Sequence, residues 1–178
     1  MAAVWLCLLA SGAWAQAKPS EYEVKAAYLF NFGKFMRIVG GPAAQSGSVF
    51  NICILGRDPI GRAMDEIADN ESIDGRRVHV LRIADATQAH NCDIVFISPY
   101  EGAAIREDLA IIAGTNVLTV SDAPDFLELG GMIQFLFQGD HVRFAVNLDA
   151  VNRTKLVLSS ELLRVAVSIK GGPPGGPQ

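Results

Sequence analysis

Hydrophobic positions recur along this chain in two registers: compact apolar runs, and stretches where apolar residues return every three to four positions. The longest periodic stretch is Glu21 to Val39, EYEVKAAYLFNFGKFMRIV. Wound at about 100° per residue, it gathers Tyr22, Tyr28, Leu29, Phe32, Phe35, Met36 and Val39 on one face. That pattern predicts an amphipathic helix packed on a sheet. Glu23, Lys34 and Arg37 form the opposite arc, with Phe30 among them as an exposed aromatic. Lys25 falls inside the apolar face, one turn after Glu21. Either its stem covers apolar surface while its amine reaches Glu21 or solvent, or it is held for a ligand carboxylate or a partner's acid.

The compact runs predict strands. Val49 to Leu55 (VFNICIL) reads as a buried parallel strand, followed by a turn at Gly56-Arg57-Asp58-Pro59. Asp58 is the expected N-cap and Pro59 the first residue of a helix running to Ala68. Val78 to Ile83, Asp93 to Ser98 and Asn116 to Val120 are the next strands. Between the last two lies a helix from Glu101 to Ala113. A short helix is expected from Ser121 to Leu129. Met132 to Gln138 and His141 to Asn147, joined by Gly139-Asp140, alternate as an antiparallel hairpin. Ser159 to Ile169 predicts a last helix. The sum is an α/β fold: a three-layer sandwich on a mostly parallel sheet of about six strands with a C-terminal antiparallel hairpin.

The ends modify that picture. Met1 to Ala15 is an apolar run closing on Ala13-Trp14-Ala15, which reads as a cleaved secretory signal peptide. It is too short for a permanent span, which needs about 20 apolar residues. No Lys or Arg precedes the run, so the true start is expected upstream. Residues 16–170 are expected to form one domain, and 171–178 (GGPPGGPQ) a disordered tail. With a formal net charge of −4 and no basic run, nucleic acid is not an expected partner.

A parallel sheet places its ligand crevice at the carboxyl ends of its strands. Arg57, Ser98 and Asp122 leave those ends and, with Lys25 from the first helix, are the candidate pocket residues. Gly56 to Gly61 (GRDPIG) has the glycine spacing of a phosphate loop, but Arg62-Ala63 stands where the lysine and hydroxyl residue should be, so it reads as a turn. The three histidines, His79, His90 and His141, show no ligand spacing, and no metal or cofactor is expected. Asp58 and Asp122 are more simply helix caps than an acid/base pair, and no nucleophile elbow occurs. Cys7 departs with the leader, leaving Cys53 and Cys92. They bridge if their strands are neighbours with Cα atoms within about 7 Å; otherwise they are two buried small hydrophobes.

EYEVKAAYLFNFGKF, FNICILGRDPIG, NCDIVFIS, NVLTVSD, GGMIQFLFQGDHVRFAVNLDA and SSELLRVA occur in an order and spacing that resemble the YfiR/HmsC-like family over nearly the whole mature chain. The resemblance implies a periplasmic α/β regulator without catalytic activity. It further implies that the protein inhibits an inner-membrane diguanylate cyclase, or another membrane sensor protein, by binding its periplasmic sensor region, thereby controlling cyclic di-GMP and biofilm formation. An outer-membrane lipoprotein that captures the inhibitor, a homodimer, and sensitivity to thiol oxidation at Cys53 and Cys92 are also implied. No cysteine follows Cys92, so a further downstream disulfide has no counterpart. Phe30, Lys34 and Arg37 are the expected partner-binding residues. The alternative is a periplasmic sensor whose primary contact is a small molecule at Lys25, Arg57, Ser98 and Asp122.

Overall fold

Ser20 starts the first helix. Its hydroxyl accepts from the Glu23 amide (3.3 Å), and the Glu23 carboxylate accepts from the Ser20 amide (2.6 Å). This reciprocal box satisfies two of the donors that a helix start leaves open. Helix α1 runs Glu21–Lys34 and ends at Phe35. The computed structural model describes residues 18–40, 48–98 and 102–171. The predicted leader, most of the Gly40 to Ser48 loop and the tail beyond Gly171 lie outside them.

The remaining elements follow in order: β1 (Met36–Ile38), β2 (Val49–Leu55), α2 (Gly61–Ala68), β3 (Ser72–Ile73) and β4 (Arg76–Ile83). A 3-10 turn (Ala86–Asn91) leads to β5 (Ile94–Ile97), α3 (Gly102–Ile112), β6 (Leu118–Ser121), β7 (Ile133–Gln138) and β8 (His141–Asn147). The chain closes with α4 (Leu148–Val151), β9 (Leu156–Leu158), α5 (Ser160–Val165) and β10 (Ser168–Lys170). The main sheet has eight strands in the order β10-β8-β7-β6-β5-β2-β4-β3, and β1 pairs with β9 in a separate two-stranded sheet. All neighbours in the main sheet are parallel except β7–β8 and β3–β4.

Alternating side chains of the strands feed two apolar clusters, one on each face. Ile52, Ile54, Ile94, Phe96, Leu118, Val120, Phe135 and Phe144 pack beneath α1 and α2. Cys53, Leu55, Val95 and Ile97 pack against Ala86, Ala89, Ile105, Leu109 and Phe126 on the other face. The three-layer α/β expectation therefore holds. Over the hairpin, Phe32 meets Phe144 edge-on (5.0 Å between centroids) and Phe135 in a stack (5.8 Å). At the other side of α1, Gly33 allows close approach to β2 and β3, since a Cβ there would lie 2.7 Å from Ile73 Cδ1 and 3.0 Å from Phe50 Cζ.

Several local expectations are corrected by longer-range pairing. Residues Met36 to Val39 leave the helix because β1 pairs antiparallel with β9, and Ser159 N donates to Phe35 O (2.8 Å). The last predicted helix is shortened to α5, since Ser168–Lys170 instead pairs parallel to β8. Ser121 ends β6, and residues 122–129 form a bend and turns rather than a helix. There the Ser121 hydroxyl, not Asp122, accepts from the Ala123 amide (3.0 Å). The N-cap of α2 is Ile60, with no side-chain bond. Asp58 is drawn away to Arg82, whose Nε lies 2.7 Å from Asp58 Oδ2. Gly61 is required beside it, because a Cβ would fall 1.9 Å from that same oxygen. The loop's glycine spacing thus has a steric cause.

Candidate functional site

Counted from β2 as the first strand, β4-β2-β5-β6-β7 has the order 2-1-3-4-5, and the strand order reverses between β2 and β5. At such a switch point the connections leave to opposite faces and open a crevice at the carboxyl ends. Here α2 departs to one face, and the 3-10 turn and α3 belong to the other. The crevice is a pocket of about 280 Å³ lined by Tyr22, Arg57, Asp58, Pro59 and Ser98. Arg57 follows β2 and Ser98 follows β5, as the topology requires; Tyr22 enters from the start of α1.

Two charged networks frame this pocket. Arg82 on β4 reaches over α2, with Nε on Asp58 (2.7 Å) and its two terminal nitrogens on Asp65 (2.8 and 2.7 Å). The hydrogen bonds to Asp65 first, and then to Asp58, raise its pKa still further above the ordinary arginine value. On the other side Lys25 is 3% exposed. Its ammonium bonds Asp122 Oδ2 and lies 2.5 Å from Glu21 Oε1. The Tyr22 ring centroid stands 4.9 Å from the same nitrogen. Burial alone would drive the Lys25 pKa down. Its hydrogen bonds to Asp122 and Glu21 outweigh that and leave it above the ordinary lysine value. Asp122 Oδ1 is buried and has no hydrogen-bond partner among the described residues.

The four pocket candidates therefore divide into two pairs. Arg57 and Ser98 line the cavity, whereas Lys25 and Asp122 bind each other beside it. Lys25 takes neither reading in full: its amine reaches Glu21, and it is also held by an internal acid. Tyr22 as a pocket wall is missed by a helix wheel that assigns it to the buried face; it is 40% exposed.

The partner-binding candidates need one correction. Phe30, expected as an exposed aromatic, is only 7% exposed and belongs to the core that includes Ile60, the N-cap of α2, and Met64 and Ala68 within it. A second helix beside α1 covers the arc that a single-helix projection leaves bare. Lys34 stays exposed, its ammonium 4.3 Å from the Phe30 ring centroid. Arg37 is exposed too, but on β1 rather than on a helical arc. The two basic residues flank Phe35, which is 40% exposed. All three line a groove of about 630 Å³ with Asp74, Leu158 and Glu161.

Cys53 and Cys92 form a disulfide with Cα atoms 5.9 Å apart. The pairing follows from β2 and β5 being adjacent and parallel, with Cys53 opposite Val95. Both sulfurs sit in the core of the second face.

The described residues thus form a doubly wound α/β fold with an ion-paired crevice and a separate groove that carries Lys34, Phe35 and Arg37. The YfiR/HmsC-like family model matches residues 22–167. The chain belongs to the YfiR/HmsC-like family, whose members are periplasmic, non-catalytic regulators of cyclic di-GMP signalling with a membrane diguanylate cyclase as their general partner. Among solved structures, the chain is similar to a 3-hydroxyacyl-CoA dehydrogenase of Archaeoglobus fulgidus DSM 4304 at 14% identity, with a TM-score of 0.36. The match covers 70% of this chain and spans 58% of that one. Likeness at that level carries no argument about activity. Among the described residues, no helix is long and apolar enough to cross a membrane.

Proposed function

We propose that this protein binds the periplasmic sensor region of an inner-membrane diguanylate cyclase and inhibits it, lowering cyclic di-GMP and biofilm formation. The supporting observation is the groove at the end of α1, where exposed Phe35 stands between Lys34 and Arg37. Aromatic residues and arginine are enriched at the energetic centres of interfaces. Inhibition then requires that the protein bind the inactive arrangement of the sensor region more tightly than the active one, since differential affinity alone moves such an equilibrium. Export through a cleaved leader, a homodimeric form and release through capture by an outer-membrane lipoprotein complete the proposal.

Charge reversal of the exposed pair, Lys34→Glu with Arg37→Glu, is expected to weaken capture of the purified sensor region by at least about tenfold, or 1.4 kcal/mol. Both side chains face solvent, so the melting temperature should stay within a few degrees of the parent's. Undiminished capture by the folded double variant would remove this groove from the proposal.

A further inference from the structure

The switch-point pocket lies at the beginning of α1 and the partner groove at its end. Tyr22 and Lys34 are 12 positions apart (34 − 22), which places the two about 18 Å apart along the axis. The pocket's chemistry is unused by partner binding. Arg57 is exposed and makes no ion pair or hydrogen bond among the described residues. Ser98 is only 2% exposed, lines the cavity, and its hydroxyl likewise has no partner among the described residues. A hydroxyl that opens on a cavity beside a guanidinium, neither of them partnered among the described residues, leaves polar groups that a ligand can engage. Tyr22 supplies an aromatic wall, and its ring is steadied by the Lys25 ammonium.

Charge narrows the ligand. Arg57 offers one unspent positive charge for a carboxylate. Asp58 lines the same pocket with Oδ2 already on Arg82, while its Oδ1 takes no hydrogen bond from the described residues. An ammonium at that carboxylate would meet the Arg82 guanidinium; a hydroxyl would donate to Oδ1 without adding charge. Dianions are disfavoured by the acids around the pocket, Asp58, Asp65, Glu21 and Asp122, which among the described residues share Arg82 and Lys25 between them. An aromatic wall suits the apolar face of a saturated ring. The volume, about 280 Å³, sits just below the range of about 300–1,000 Å³ typical of drug-sized ligands.

We propose that the crevice between β2 and β5 binds a monomeric sugar acid, its carboxylate on Arg57, its hydroxyls on Asp58 and Ser98, and its ring against Tyr22. This site stands apart from the Lys34–Arg37 groove, so its success or failure is separate from that of partner binding. The test is calorimetric titration of the full mature chain with galacturonate and glucuronate, alongside galactose, galactosamine and inorganic phosphate. The uronates are expected to bind, and Arg57→Gln to weaken them at least tenfold without changing the melting temperature of the unliganded protein. Ser98→Ala, which removes only the hydroxyl, should weaken them several-fold. Failure of both uronates to bind would overturn the proposal. So would equal affinity for galactose, preference for galactosamine or phosphate, or unaltered uronate affinity in folded Arg57→Gln and Ser98→Ala.

Discussion

Replacing Lys25 by methionine should destabilise the protein by about 3–5 kcal/mol, the usual cost of removing one partner from a buried ion pair. The lysine side chain is 4% exposed and that of Asp122 is 11% exposed, so solvent takes over little of the lost interaction. Asp122 already carries one buried oxygen without a partner; without the ammonium, the other is stranded as well. Urea denaturation of Lys25→Met gives the number directly. The double variant Lys25→Met with Asp122→Leu should recover much of the loss, because a buried pair is often matched by apolar residues of similar size. The pH dependence has a defined sign. The Lys25 pKa is raised on folding above 10.5, so the pair's stabilisation is fully present below that value. It disappears as pH rises through the higher folded value. Wild type should therefore lose stability above pH 10.5 more steeply than the Met/Leu double variant.

The second large effect belongs to the disulfide. Cys53 and Cys92 are separated by 39 positions, and closing a loop of that length in the unfolded chain is worth about 4 kcal/mol on the chain-entropy account. Cys53→Ala with Cys92→Ala should lower the unfolding free energy by about that amount. Reductant should lower the denaturation midpoint of wild type and leave that of the double alanine variant where it is. Identical midpoints for wild type with and without reductant would show that the bridge contributes nothing. Because Cys53 is fully buried and Cys92 is 7% exposed, reduction in the native state should be slow compared with reduction during unfolding.

What could be read from the chain depended on how far each residue's partners lie. β2 and β5 are continuous apolar runs because both faces of the sheet are covered, and such runs declare themselves locally. The hairpin β7–β8 is legible for a different local reason, its alternation about a Gly139-Asp140 turn, and α2 because a Pro-marked turn precedes it. Asp122 has the look of a helix cap, but its partner is Lys25, 97 positions earlier. Likewise Asp58 looks like a cap until β4 brings Arg82 to it. β1, β9 and β10 have three residues each, too few for an alternation to register. A helical projection carries no information about a neighbouring helix and so leaves Phe30 bare, where α2 in fact covers it. Within the pocket, Arg57 and Ser98 follow from strand topology alone, whereas Tyr22 does not. Its signal is its position one turn before Lys25, at a helix start that the Ser20–Glu23 box fixes.

These observations bear on function through a division of α1 into two ends. Its start is pinned by the Lys25–Asp122 pair beside the switch-point crevice. Its end presents Lys34, Phe35 and Arg37 at the edge of the β1–β9 sheet. The core between them, built on Phe32, Phe135 and Phe144, packs the helix on the hairpin, and on the proposed function the groove would meet its partner preformed. A preformed surface loses less conformational entropy on docking than one that must be ordered.

The most direct test is the level of cyclic di-GMP in cells carrying a membrane diguanylate cyclase recognised by this protein, measured with and without the exported chain. Wild-type protein is expected to lower the nucleotide several-fold, and the stable Lys34→Glu, Arg37→Glu variant to leave it high. Nucleotide levels that stay unchanged while the wild-type chain is bound to the sensor region would contradict inhibition by binding.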